Sequence, residues 1–179
     1  MNLLDKLKAI ARASCLKGRE QSPDATGICP LESVRSAVVF FDADIPGCID
    51  TINRIQDYFT KIGKSVTIFG ISLGAQLISE GRQKAIFLHK RDINWYGKIR
   101  RGKSHPSLDR GEDLFISLYP EDSFPVEYAA RCSKARFKTG RKQLKGNTYD
   151  LILTYPEDTH LTQNQAFEGI MDFIQNIKY

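Results

Sequence analysis

The chain has 179 residues, 41% of them hydrophobic and 26% charged, and a formal net charge of +5. Such a length suits one domain that buries about 70% of its unfolded surface, and the composition excludes disordered and collagen-like classes. No apolar run approaches the roughly 20 residues of a membrane span, and the start Met1-Asn2-Leu3-Leu4-Asp5-Lys6-Leu7-Lys8 mixes charge into its apolar positions, unlike a signal peptide.

Leu3, Leu4, Leu7, Ile10 and Ala11 recur at helical spacing, which predicts a short amphipathic N-terminal helix. Residues 18–30 carry Gly, Ser, Pro and Asp without periodicity and read as a linker or an ordered surface loop. The expected organisation is therefore a helix and linker over 1–30, then a single α/β domain over 31–179. An apolar strand at 37–41 precedes a helix near 48–62, with Ile52, Ile55, Phe59 and Ile62 on one face and Gly63 as its stop. A strand at 65–69 completes a βαβ unit, for which a right-handed crossover is expected. A short strand follows at 85–88. Residues 89–112 read as a long polar, irregular excursion around Trp95 and Tyr96, and excursions of that length are more often functional or mobile than accidental. The pattern then repeats with a strand at 113–118, a helix near 125–132, and strands at 135–138 and 149–154. The closing helix is announced by a capping box, Thr162 with Gln165, and by Phe167, Ile170, Met171, Ile174 and Ile177 on one face. About six strands and four helices in this alternation predict an α/β three-layer sandwich, Rossmann-like, with a mainly parallel sheet.

Three strand ends open into acidic loops: Asp42-Ala43-Asp44, Tyr119-Pro120-Glu121-Asp122 and Tyr155-Pro156-Glu157-Asp158. In a parallel sheet these loops share the carboxyl edge, where open α/β sheets bind ligands. Carboxylates gathered there suit a divalent cation or acid–base work, and they equally suit helix capping. Asp42, which directly follows an unbroken apolar strand, is the functional candidate among them. Gly70-Ile71-Ser72-Leu73-Gly74 matches G-x-S-x-G just after a strand, the setting of a nucleophile elbow. Asp122 and His160 follow in the order Ser, Asp, His, which resembles the α/β-hydrolase family in those few residues. Gly81 interrupts the following helix, and no Gly-rich oxyanion loop precedes the motif. His89, His105 and His160 stand apart, and Cys15, Cys29, Cys48 and Cys132 show neither C-x-x-C nor a His at ligand spacing. Free thiols in a reducing cytoplasm and no metal site are the expectation. Basic charge is concentrated at 82–110 and 131–145, the second with no acid at all. Beside Trp95 and Tyr96, such charge suits a phosphate-bearing ligand or an RNA strand.

From about Ser36 onward the chain resembles a family of small uncharacterised Bacteroidota proteins, a domain of unknown function. The resemblance rests on Asp92-Ile93-Asn94-Trp95-Tyr96-Gly97-Lys98, Asp113-Leu114-Phe115-Ile116-Ser117-Leu118, Glu127-Tyr128-Ala129-Ala130, Ser133-Lys134-Ala135-Arg136-Phe137-Lys138-Thr139-Gly140 and Tyr149-Asp150-Leu151-Ile152. It implies a cytoplasmic α/β protein, brings no catalytic residues or cofactor, and moves attention to residues 94–98 and 138–140. A looser likeness, at fold level only, links the same strand–helix–strand order to one Rossmann-like half of heptosyltransferase-type glycosyltransferases.

The expected function is a cytoplasmic domain that binds an anionic ligand, whether nucleotide, phosphorylated metabolite or RNA. Asn94, Trp95, Lys98, Lys138 and Gly140 are the expected contacts, with Asp42 at the sheet edge. Two alternatives stand beside it: a serine hydrolase using Ser72, Asp122 and His160, and a structural protein that binds a partner, such as a second copy, through the N-terminal helix.

Overall fold

The computed structural model describes residues 2–18, 27–74, 85–100, 111–144, 148–155 and 161–177. Valine, alanine and phenylalanine fill β1 (Ser36–Asp42) so that residues 37–41 are all buried, the two-sided burial of a parallel strand covered on both faces. Around it lie β2 (Ser65–Ser72), β3 (Ile86–His89), β4 (Leu114–Ser117), β5 (Phe137–Gly140) and β6 (Leu151–Ile152). Their order is β3-β2-β1-β4-β5-β6, and every pairing is parallel. The winding runs outward from β1 to β3 and resumes on the other side at β4. The reversal between β1 and β4 is the switch point at which doubly wound sheets open a crevice.

Four helices accompany the sheet among the described residues: α1 (Leu3–Leu16), α2 (Cys48–Lys61), α3 (Phe124–Cys132) and α4 (Gln163–Gln175). One face is covered by α2 and α4, whose Ile52, Ile55, Phe59, Phe167, Ile170 and Ile174 pack with Val39 and Phe41. The Tyr58 ring meets Phe167 edge-on at 5.5 Å, and the Tyr58 hydroxyl accepts from Gln175 Nε2 at 2.7 Å. The other face is covered by α3, with Val126, Tyr128 and Ala129 against Phe40, Phe69 and Phe115. The three-layer α/β sandwich is thus the observed architecture. The box of Thr162 and Gln165 caps α4, each side chain accepting the other residue's backbone N–H. In α1 no residue is buried. Its Cys15 and Leu16 rest against the α3-side core, while Leu3, Leu4, Leu7 and Ile10 are exposed.

The strand expected at 149–154 is paired only over Leu151–Ile152, and the structure departs from the sequence-derived elements in three further places. Strand β2 continues through Gly70 and Ile71 to Ser72, because a glycine is needed where the buried Phe41 and Phe87 rings crowd the backbone. Strand β5 starts two residues later than expected and runs through Lys138 to Gly140. Its Lys138 and Gly140, which read locally as strand breakers, are absorbed by tertiary contacts described below. Third, the excursion is not irregular throughout. An antiparallel bridge joins Ile93 to Ile99, and the Gly97 amide donates to the Asn94 carbonyl at 3.0 Å, closing a hairpin turn.

Candidate functional site

At the switch point, the side chain of Gln163 in the first turn of α4 grips the end of β1. The Asp42 amide donates to Gln163 Oε1 at 2.8 Å, and Gln163 Nε2 donates to the Asp42 carbonyl at 2.9 Å. The Asp42 carboxylate accepts the Asp44 amide at 2.9 Å. Asp44 turns towards β2, where its carboxylate accepts from the Ser72 hydroxyl at 2.7 Å and the amides of Leu73 and Gly74 at 2.7 and 2.8 Å. These two neighbouring acids are tuned in opposite directions. Burial, and then the charges of Asp44 and Glu121, raise the Asp42 pKa against the Asp44 N–H bond. Burial also pulls that of Asp44 upward, but the Ser72, Leu73 and Gly74 bonds with His89 nearby outweigh it and lower the value. The Tyr119 hydroxyl donates to the Ile71 carbonyl at 3.4 Å. Burial and the charges of Asp42 and Asp44 raise its pKa above the ordinary phenol value. The edge of β1 and β2 is therefore acidic, and a phosphate brought to Asp42 meets like charge.

The opposite shifts give opposite pH signatures. Native Asp42 holds its proton to higher pH than the unfolded chain does, so its ionisation costs stability as pH rises through the carboxylate range, and the cost is complete at neutral pH. Native Asp44 is held ionised below the unfolded value, so its stabilisation is complete above about pH 4 and is lost as pH falls through the lowered native value. Asp42→Asn, which retains an acceptor for the Asp44 amide, is expected to match or exceed the wild-type urea midpoint at pH 7. Asp44→Asn is expected to fall below it at pH 7 and to converge with it in acid. Equal midpoints for both variants at pH 7 and pH 3 would contradict the assignment.

The residues of the elbow motif sit in different surroundings from those an elbow requires. Ser72 is the last residue of β2 rather than the apex of a turn, is 2% exposed, and donates to Asp44. Asp122 is paired with Lys142 Nζ at 3.4 Å beyond β4. His160, with Glu157 and Asp158, lies outside the described residues. The histidine near Asp44 is His89, the register partner of Ser72, whose side chain accepts the Asp92 amide while its own amide donates to Asp92 Oδ2. Among the described residues no group of three or more His, Cys, Asp or Glu could hold a metal ion.

Two of the residues singled out in the second half are committed to packing. Lys138 is 3% exposed, and its Nζ donates to the Ala130 carbonyl at 2.8 Å, one of the carbonyls that the last turn of α3 leaves without a helical partner. Its amide donates to Asp150 Oδ2 at 2.8 Å. Burial lowers the Lys138 pKa, opposed by the charge of Asp150. At Gly140 a Cβ would stand 2.6 Å from the Tyr149 ring, so the glycine makes room for that ring. Arg141, read only as part of a basic run, bridges the Leu118 and Leu161 carbonyls at 3.3 and 3.1 Å. It ties the end of β4 to the entry of α4, and no local signal marks it for that role.

The hairpin gathers the remaining candidates. Asn94 at the first turn position and Gly97 at the fourth fit a type I turn followed by a left-handed residue. Gly97 has φ +100°, and the Lys98 amide donates to Asn94 Oδ1 at 2.8 Å. Asn94 is thus a turn former, a signal already present in Asn-x-x-Gly. Lys98 Nζ lies 5.7 Å from the Tyr128 ring centroid, over its face. Trp95 projects from the tip, 58% exposed, with Tyr96 edge-on at 5.3 Å. Lys90, Arg91 and Arg100 are exposed on the same segment. The hairpin base buries Ile93 and Ile99 in the α3-side core, so this basic, aromatic tip stands on a packed foundation. Trp95 and Lys98 are brought together here, whereas Lys138 and Gly140 are under α3 and beside Tyr149, and Asp42 lies at the acidic edge.

A family model described as "Family of unknown function (DUF6913)" matches residues 7–168 of the chain. Neither the curated proteins nor the solved structures contain a match to it.

Proposed function

The chain belongs to the family of unknown function DUF6913, and we propose that it is a binding domain for a ligand carrying both a phosphate and a planar base, held by the Trp95 hairpin. The observation that carries this reading is an exposed tryptophan at the tip of a hairpin whose base is buried. An indole in that position offers a face to a base, and stacking of this kind contributes about 1–3 kcal/mol per base. Exposed Lys90, Arg91 and Arg100 supply the charge that a phosphate requires. The acidic edge around Asp42 and Asp44 argues for phosphate at the hairpin rather than at the switch point. The four cysteines form no disulfide, which supports a reducing, cytoplasmic setting for this activity.

A nucleotide and a single RNA strand share this chemistry, and titration of a labelled uridine oligoribonucleotide beside ATP separates them. Binding is expected to weaken linearly in log K against log salt, and Trp95→Ala to weaken it by about 5- to 150-fold, the equivalent of one lost stack. Tighter binding of the oligonucleotide than of ATP assigns a strand, and equal binding assigns a nucleotide. Absent binding of both, salt-independent binding, or wild-type affinity in Trp95→Ala would end the reading.

A further inference from the structure

A two-stranded hairpin is marginally stable by itself, so the direction in which Trp95 points depends on what holds the tip. Two elements do so. Phe124, in the first turn of α3, presses on Gly97 so closely that a Cβ there would lie 2.9 Å from its ring. Arg12 of α1 donates from Nε to the Tyr96 carbonyl at 2.7 Å, and its guanidinium lies 4.6 Å from the Phe124 ring centroid, over the face. One side chain therefore joins three elements that are distant in sequence, and it does so at the residue next to Trp95. The helix that supplies it has no buried residue of its own, and among the described residues its Cys15 and Leu16 add apolar contact with the core.

We infer that Arg12 is a positioning residue for the Trp95 site, and that α1 is a strap whose docking sets the affinity of the hairpin for its ligand. This rests on the Trp95 reading above, but it makes a separate claim about order in the free protein. A planar guanidinium donates sideways while it stacks on a ring, and an ammonium cannot do both from one position. Docked, α1 fixes the turn before ligand arrives, which removes an ordering cost from binding. Undocked, the indole swings about the buried base of the hairpin.

Trp95 is the single tryptophan of the chain, so its emission reports on the hairpin alone. Time-resolved anisotropy of ligand-free wild type, Arg12→Ala and Arg12→Lys tests the claim, with far-UV circular dichroism confirming that each variant is folded. Both variants are expected to show a larger fast, local component of depolarisation than wild type, and to bind the labelled uridine oligonucleotide about three- to tenfold more weakly. Should one variant fail to fold, the other decides. Unchanged local depolarisation in a folded variant overturns the inference, as does wild-type behaviour of Arg12→Lys, which would reduce the role of Arg12 to its charge. If the wild type binds no oligonucleotide, the ligand reading fails, while the anisotropy still decides the role of Arg12.

Discussion

Phe40→Ala is expected to lower the stability of the protein by about 3–5 kcal/mol, the range found for large-to-small aromatic truncations in cores. Phe40 lies on the central strand, fully buried, with the Phe69 ring stacked at 4.9 Å on one side and the Phe115 ring at 5.3 Å on the other. The row continues from Phe115 to Tyr149 at 6.3 Å, so four neighbouring strands and loops are joined through aromatic faces on the α3 side of the sheet. Truncation opens a cavity in the middle of this row, and the flanking rings are anchored to paired strands that cannot close on it. Against a typical total stability of about 5–15 kcal/mol, the loss is large. Urea unfolding followed by circular dichroism measures it, and a loss below about 1.5 kcal/mol would show that the row is not a determinant of the fold.

Gly70→Ala is expected to destabilise by about 1–3 kcal/mol or more through overpacking. The added methyl would stand 2.6 Å from Phe41 Cζ and 3.0 Å from Phe87 Cδ1. Neither ring has an exit, because Phe41 and Phe87 are themselves packed edge-to-face at 6.3 Å beneath α2 and α4. Combining Gly70→Ala with Phe41→Leu is expected to cost less than the sum of the two single changes, since the smaller side chain vacates the space the methyl needs. Strict additivity of the urea-derived values would locate the effect in the backbone instead.

Much of the architecture was legible in local pattern. Residues 37–41 are apolar without alternation, which is what a central strand buried on both faces demands. The spacing of Ile52, Ile55 and Phe59 marks the inward stripe of α2, and Thr162 with Gln165 marks the start of α4 before any fold is known. The hairpin has a local signal too, in Asn94 and Gly97, but that signal is a turn motif and not a periodicity, so the polar stretch around it hides it. The strand limits at Ser72 and Gly140 were not legible. A glycine or lysine reads locally as a strand breaker, and only Phe41, Tyr149 and the α3 carboxyl terminus explain why these tolerate it.

The candidate site divides along the same line. Trp95 and Lys98 are neighbours on one turn, so the sequence alone places them together. Lys138 and Gly140 look equally available in the sequence, yet one ammonium is spent on the Ala130 carbonyl and the glycine on the Tyr149 ring. Arg12 is 84 residues from the carbonyl it holds, and Asp44 is 28 residues from the hydroxyl it accepts. By itself the sequence determined the class of fold, the buried faces of α2 and α4 and the presence of a basic, aromatic segment, because hydrophobic periodicity is a property of neighbours along the chain; the apolar stripe of α1 did not mark a buried face. Only the tertiary structure decided which polar groups are left to meet a ligand, because a charge or a donor takes its role from whatever group folding places opposite it.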